Sequence, residues 1–372
     1  MNFPINAFGC LMESYGGGIV VRLIKKLSGL LTVVSIFNVL SSCSANVKSG
    51  NYSNDIKEIK IGVTLYKQDD AFISEIANNI EDIAKEKETQ GKYKIIVNVA
   101  DAKGNLINQS NQVDKFVAQN YDVICVNMVD RTAASMIIDK AKSANIPIVF
   151  FNREPVEEDM ERWNKLYYVG ADAQQSGEMQ ANIIINAYKK DNRMVDKNGD
   201  GKIQYVMLEG EQGHQDSLIR TEYCIKTITQ NGIELEKLAD DTANWQSAQA
   251  TTKMSQWIKK FGDKIEVVFS NNDDMALGAI NAINNANISG KRPLVVGIDG
   301  LPKALEAVKN GSMIGTILND SKKQANAIFN LAYTLASHGN VNSIEGLEKG
   351  KYIRTPHAEV TNDNVDLYIE NK

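Results

Sequence analysis

The chain has 372 residues and only four cysteines. Cys125 lies in an apolar run and Cys224 in a helical pattern, with no paired spacing, while Cys10 and Cys43 belong to the N-terminal segment. This usage excludes a disulfide framework, so stability has to come from burial of apolar side chains. Charge of one sign is also lacking: 41 Lys and Arg stand against 46 Asp and Glu, a formal net charge of −5, and no basic stripe forms anywhere. That balance argues against nucleic acid as a partner. No Gly-rich phosphate loop follows the first strand-like run, and no nucleophile, base and orienting residue stand out as a set. Nothing therefore marks the chain as an enzyme. The apolar run Leu27–Leu40 is too short, and too interrupted by Ser and Asn, to span a bilayer comfortably.

That run has another use. Arg22, Lys25 and Lys26 precede it, and Leu40-Ser41-Ser42-Cys43 follows it. A basic stretch, a short apolar core and small residues read as an export signal. The last four residues resemble a bacterial lipobox, which implies cleavage before Cys43 and acylation of its thiol. Residues 1–43 thus form the signal with its lipobox, expected to be cut away up to Cys43, which stays as the anchor, and residues 44–57 form a polar Ser/Asn/Lys tether. The protein would be exported and would meet the membrane only through its lipid. The residues ahead of Cys43 hold three bases and one acid, so their loss moves the net charge to −7. Roughly 330 residues remain, the size of two domains.

Beyond the tether, apolar runs alternate with helical periods. Strand-like runs are Ile59–Tyr66, Tyr93–Val99, Val123–Met128, Pro147–Phe151, Gln204–Leu208, Ile233–Leu238, Ile265–Ser270, Leu294–Ile298 and Ile314–Leu318. Between them the spacing predicts helices over Phe72–Lys85, Asn108–Gln119, Thr132–Ser143, Gln175–Tyr188, Asp216–Gln230, Asn244–Lys259, Asp274–Asn285 and Pro302–Lys309. Continuous apolar strands covered by helices predict an α/β fold with doubly wound, Rossmann-like parallel sheets. Nine units exceed one ordinary sheet, so two lobes are expected, with a first boundary near Gly170–Asp172.

In such sheets ligands bind beyond the carboxyl ends of the strands. Those ends carry Tyr66, Asp69, Asp70 and Phe72, then Asn152-Arg153-Glu154, then Glu209, Glu211, His214, Asp216 and Arg220. Trp245, Asn271-Asn272-Asp273, Asp299 and Asn319-Asp320 complete the series. Acids, amides and one guanidinium share hydrogen bonds with vicinal hydroxyls, and aromatic rings cover the C–H faces of a pyranose. The inventory suits an uncharged sugar. Singly, these residues have blander uses: Asp70 and Asn272 also read as helix N-caps, and Trp245 as core.

A second constellation is Asp196-Lys-Asn198-Gly-Asp200-Gly-Lys-Ile-Gln204. Asp196, Asn198 and Asp200 occupy positions 1, 3 and 5 of a calcium loop, Gly201 the sharp-turn position, Lys202 the carbonyl position and Gln204 position 9. Position 12, normally a bidentate Glu, is Met207, a poor partner for a hard cation. Either the loop is a bare Asx/Gly turn, or a carboxylate arrives from elsewhere in the fold.

The segments Ile61-Gly-Val-Thr-Leu-Tyr66-Lys-Gln-Asp-Asp70-Ala-Phe72, Gly210-Glu-Gln-Gly-His214-Gln-Asp216 with Arg220, and Asp241-Thr-Ala-Asn-Trp245 resemble the galactose/glucose-binding proteins of bacterial sugar ABC transporters. So do Val149-Phe-Phe-Asn152, Tyr167-Tyr-Val-Gly170, Asn271-Asn272-Asp273 and Thr316-Ile-Leu-Asn319-Asp320, in order from about Ile59 onward. The resemblance implies the type I periplasmic-binding-protein fold, with three hinge crossings. One lobe would comprise 58–171 with 319–355, the other 172–318 with 356–372. It implies that Phe72 and Trp245 sandwich a monosaccharide whose oxygens meet Asp70, Asn152, His214, Asp216, Arg220, Asn272, Asp299 and Asn319. It also supplies the missing calcium ligand as Glu266, beside Asp196, Asn198, Asp200, the Lys202 carbonyl and Gln204. Two departures are Lys202 in place of Gln and Gln215 in place of Pro. Implied partners are glucose or galactose, an ABC permease and, as in some bacteria, a chemoreceptor, with the receptor itself a monomer. Competing readings are the same fold for ribose, xylose or a methyl-galactoside, a sugar-responsive repressor, and a glycoside-processing enzyme. The repressor would need a helix-turn-helix ahead of Ile59, where this chain has a signal and a tether. The enzyme would need room for an aglycone.

Overall fold

The computed structural model describes residues 57–370 apart from 287 and 289. The signal, the lipobox with Cys43 and nearly all of the tether lie outside the described residues. The run that opens the fold, β1 (Glu58–Leu65), shows why strands form here: its last five residues are all buried, as β-branched and apolar side chains must be between two helical layers. The same rule gives β2 (Lys94–Asp101), β3 (Val123–Val126), β4 (Ile148–Phe151) and β5 (Leu166–Ala171). It continues through β6 (Lys202–Glu209), β7 (Glu234–Thr242), β8 (Val267–Ser270), β9 (Leu294–Asp299) and β10 (Gly315–Asn319). Three short strands close the chain: β11 (Leu347–Glu348), β12 (Tyr352–Thr355) and β13 (His357–Thr361).

These strands make two sheets of like topology. The first runs β11-β12-β5-β4-β3-β1-β2 and the second β13-β10-β9-β8-β6-β7. Pairing is parallel except at one edge of each sheet, where β11 meets β12 and β13 meets β10 antiparallel. Each sheet is doubly wound, and the strand order reverses between β1 and β3 in the first and between β6 and β8 in the second. Those reversals are where loops diverge and leave a crevice at the carboxyl ends.

The alternation expected from sequence is present, with additions. Tyr167-Tyr-Val-Gly170 belongs to a full strand, β5, absent from the nine predicted runs. A long helix, Ser321–Ala336, was also absent; it packs against the helix Ala71–Glu88 and under β1. The chain passes from the first sheet to the second after β5, back after β10, and again between β12 and β13 across Pro356. No helix among the described residues is long and apolar enough to cross a membrane.

Each sheet buries apolar side chains on both faces. In the first lobe Ile61, Val63, Ile76, Ile80, Ile328 and Phe329 fill one face, and Ile124, Val126, Ile137, Phe150 and Tyr168 the other. Phe329 is 1% exposed and joins the returning helix to that core. Phe329→Ala should lower stability by about 3–5 kcal/mol, read as a shifted midpoint in urea with an unchanged slope.

Candidate functional site

Three helices aim their N-termini at the crevice, and the residues that cap them line it. Asp70 accepts from the amide of Ile73 at 3.0 Å, His214 from that of Asp216 at 3.1 Å, and Asn272 from that of Met275 at 3.0 Å. Capping and site-forming are therefore one role here: a polar side chain that satisfies an orphan amide is fixed with its remaining valence facing the crevice.

The resulting cavity is lined by Tyr66, Asp70, Phe72, Ile73, Asn152, His214, Asp216, Arg220, Trp245, Asn272 and Asp299. Nine of the ten residues expected from sequence line it. The tenth, Asn319, is next to the lining: its amide lies 3.5 Å from Asp299 Oδ1, and its own oxygen accepts from Gln324 at 2.6 Å. Tyr66 and Ile73 are additions. Tyr66 ends the first strand-like run, and its hydroxyl donates to Asp70 Oδ2 at 2.6 Å.

Phe72 enters from the first lobe and Trp245 from the second, 5% and 7% exposed. Trp245 and Asn244 both adopt left-handed backbone, with φ of 65° and 51°, which swings the indole back over the loop after β6. Its ring lies on Gly210, where a Cβ would come within 2.1 Å of the indole, so only glycine fits under it. Edge-on, it meets the His214 ring with centroids 5.0 Å apart.

Arg220 organises the acids. It donates to the Asn271 carbonyl at 2.9 Å, pairs with Asp216 at 3.2 Å, and lies 4.0 Å from Asp299. Burial nonetheless raises both acids above the ordinary carboxylate range, Asp299 well above it, and raises Asp70 as well. Burial, reinforced by Arg153, holds His214 well below the ordinary imidazole value, so its ring is neutral. Its Nδ1 accepts from the Asp216 amide, which leaves the proton on Nε2 as a donor. The lining thus mixes donors and acceptors with little net charge to spare for an ionic ligand.

The second constellation sits at the start of β6, the end of that strand away from His214. Gly199 and Gly201, with φ of 75° and 86°, let the loop wind around the Asp196 carboxylate, which accepts from Gly199 at 2.7 Å and Gly201 at 2.9 Å. Glu266, 1% exposed, accepts from Lys197 and Gln204 amides at 2.5 and 2.9 Å, so it does reach this loop. Asp200, Asn198 and Gln204 converge, their side chains 2.8–3.1 Å apart. Among the described residues no three His, Cys, Asp or Glu side chains form a metal-holding group. A hard cation here would need the amides and the Lys202 carbonyl as well.

Residues 61–340 match the periplasmic binding protein domain family. The chain belongs to that family. It is 37% identical over 349 residues to the D-galactose/methyl-galactoside binding periplasmic protein of Haemophilus influenzae, covering 93% of this chain and all of that one. The ribose import binding protein of Bacillus subtilis is 29% identical, over 79% of this chain and 87% of its own. A solved ABC transporter solute binding protein from Bacillus halodurans, with bound myo-inositol, superposes with a TM-score of 0.70 at 27% identity, covering 86% of this chain and all of that one.

His357, in the third crossing, is 7% exposed, with Nδ1 3.1 Å from Gln175 Oε1. Burial pushes its pKa down to about 3. The fold keeps this ring neutral while the unfolded chain takes up a proton below pH ~6.5, so the stability is present above that pH and lost as pH falls through the window. Between pH 7.5 and 5 the wild type should therefore lose about 2 kcal/mol more than His357→Gln, measured by denaturant titration at each pH.

Proposed function

We propose that this protein is an extracytoplasmic receptor that closes two lobes around D-galactose or D-glucose and presents the sugar to an ABC permease. A chemoreceptor is a further partner in this reading, and catalysis has no part in it. The observation that carries it is the cavity itself: one aromatic ring from each lobe, with three acids, two amides, one arginine and a neutral histidine around them. A hexose offers such a lining apolar C–H faces and a rim of hydroxyls that each donate and accept. The 37% identical relative, named for D-galactose and methyl-galactoside, supports the same ligand class.

Discrimination would come from the rim. Each buried polar group left unpaired by a wrong epimer costs about 1–3 kcal/mol. Asp70 is the contact assigned to the C4 hydroxyl, because a carboxylate accepts from either epimer. Asn319, beside Asp299, would join it in bonding the hydroxyls. The hinge would divide the chain into 58–171 with 319–355 and 172–318 with 356–372, closure turning on the three crossings. Export through the signal and anchoring through Cys43 complete the proposal, and a monomer suffices for it.

The test is titration calorimetry with both sugars. Saturable heat from either supports the assignment, and no heat from both overturns it. Trp245→Ala should weaken binding about 30-fold or more, a loss of hot-spot size. Another sugar, ribose, xylose or a methyl-galactoside, is the second reading, favoured by the ribose-binding relative.

We also propose a structural calcium ion held by Asp196, Asn198, Asp200, the Lys202 carbonyl, Gln204 and Glu266. The donor set fits: three carboxylates, two amides and a carbonyl give six hard oxygens. Such an ion would clamp the loop before β6 to Glu266, which precedes β8, and so staple neighbouring strands. Chelation should lower the melting temperature by several degrees and leave sugar affinity nearly unchanged. Superimposable melts with and without chelator, on calcium-loaded protein, would exclude it.

A further inference from the structure

Outside the cavity, one carboxylate bridges the crevice. Glu211 follows β6 in the second lobe and accepts a hydrogen bond from the Arg153 guanidinium of the first. Lys67, also of the first lobe, stands 3.7 Å from its other oxygen. A third bridge lies alongside, where Gln215 donates to the Asn152 carbonyl at 3.1 Å. Lys67 follows β1 and Arg153 follows β4, so both cations ride on the loops that carry Asp70, Phe72 and Asn152.

Arg153 is held for this purpose. It is 5% exposed, donates to the Val129 carbonyl at 2.9 Å, and lies with its guanidinium carbon 3.7 Å from the centre of the Tyr66 ring. Tyr66 in turn holds Asp70 through its hydroxyl. A continuous line of contacts thus runs from Glu211 in one lobe to a cavity carboxylate in the other. Its energetics favour closure. An exposed ion pair contributes little, but here the ring and the carbonyl have already shed water from one side of the guanidinium, and Glu211 takes the other. If the lobes separate, water replaces Glu211 and no charge is left buried and unpaired. The pair then stabilises the closed arrangement alone, which biases a two-state equilibrium.

We propose that Glu211 is a positioning residue that latches the lobes shut through Arg153 and Lys67, and so sets the residence time of the bound ligand. The ligand's identity rests on the proposed function; the latch does not. The experiment is Glu211→Gln in the full chain, with two readouts. Stopped-flow tryptophan emission with D-galactose and D-glucose gives association and dissociation rates, and small-angle X-ray scattering without sugar gives the radius of gyration. Dissociation should be about tenfold faster with association within about twofold, and the radius of gyration should rise. Lys67→Met should show the same direction at smaller size. Arg153→Met combined with Glu211→Gln should lose no more than either change alone. A dissociation rate equal to wild type, or losses that add, overturns the latch. If the wild type binds neither sugar, the functional assignment fails, and the latch is decided by scattering: an unchanged radius of gyration overturns it. A thermal melt of Glu211→Gln close to wild type excludes general misfolding as the cause.

Discussion

The structure depends on Arg220 holding two buried acids at the meeting point of the lobes. Asp216 lies one helical turn before it, and Asp299 arrives from the end of β9 with φ of 129°, a backbone state rare outside glycine. Desolvation raises both carboxyls, so the guanidinium and the surrounding amides are what keep them tolerable in a dry crevice. Such a cluster leaves hydrogen-bonding capacity in the cavity without a large free charge. A neutral, hydroxyl-rich ligand completes it; an anion would meet Asp70, Asp216 and Asp299 together.

Doubling one topology makes that cluster possible. Each sheet reverses its strand order once, and each reversal sends loops outward at the carboxyl ends. Helix N-termini from both lobes then point into one crevice, and their caps become the lining. This explains why Asp70, His214 and Asn272 answer to two descriptions at once, helix cap and cavity residue. The two descriptions are not rivals, because a cap fixes one lone pair or proton and frees the rest.

Legibility followed the strength of the local signal. Buried parallel strands read as unbroken apolar runs, and β1, β3, β4, β6 and β8 to β10 were visible for that reason. The edge strand β11 and its neighbour β12 were not, being two and four residues long with side chains partly in solvent. The same half-exposure hid β13, which pairs antiparallel through His-Ala-Glu-Val-Thr. Helix Ser321–Ala336 opens on Ser-Lys-Lys-Gln, a polar turn that masks the apolar face behind it. Asn319 reads as a site residue because it ends a strand; its place 3.5 Å from Asp299 is a matter of packing. Glu211 and Arg153 stood on the strand-end inventory with nothing to join them, since 58 residues separate them in sequence.

Periodicity, caps and the residues at strand ends were properties of the chain alone, since each follows from neighbours a few positions apart. Two-lobed architecture, the polyhydroxylated ligand class and the oxygen-rich loop were accessible on that basis. What needed the folded molecule was every contact between residues distant in sequence: Trp245 lying over Gly210 and Glu266 reaching the loop at Asp196 within the second lobe, and Glu211 meeting Arg153 across the crevice. Those contacts depend on how strands pair within a sheet and on how the two sheets are set against each other, and no local rule of spacing encodes either.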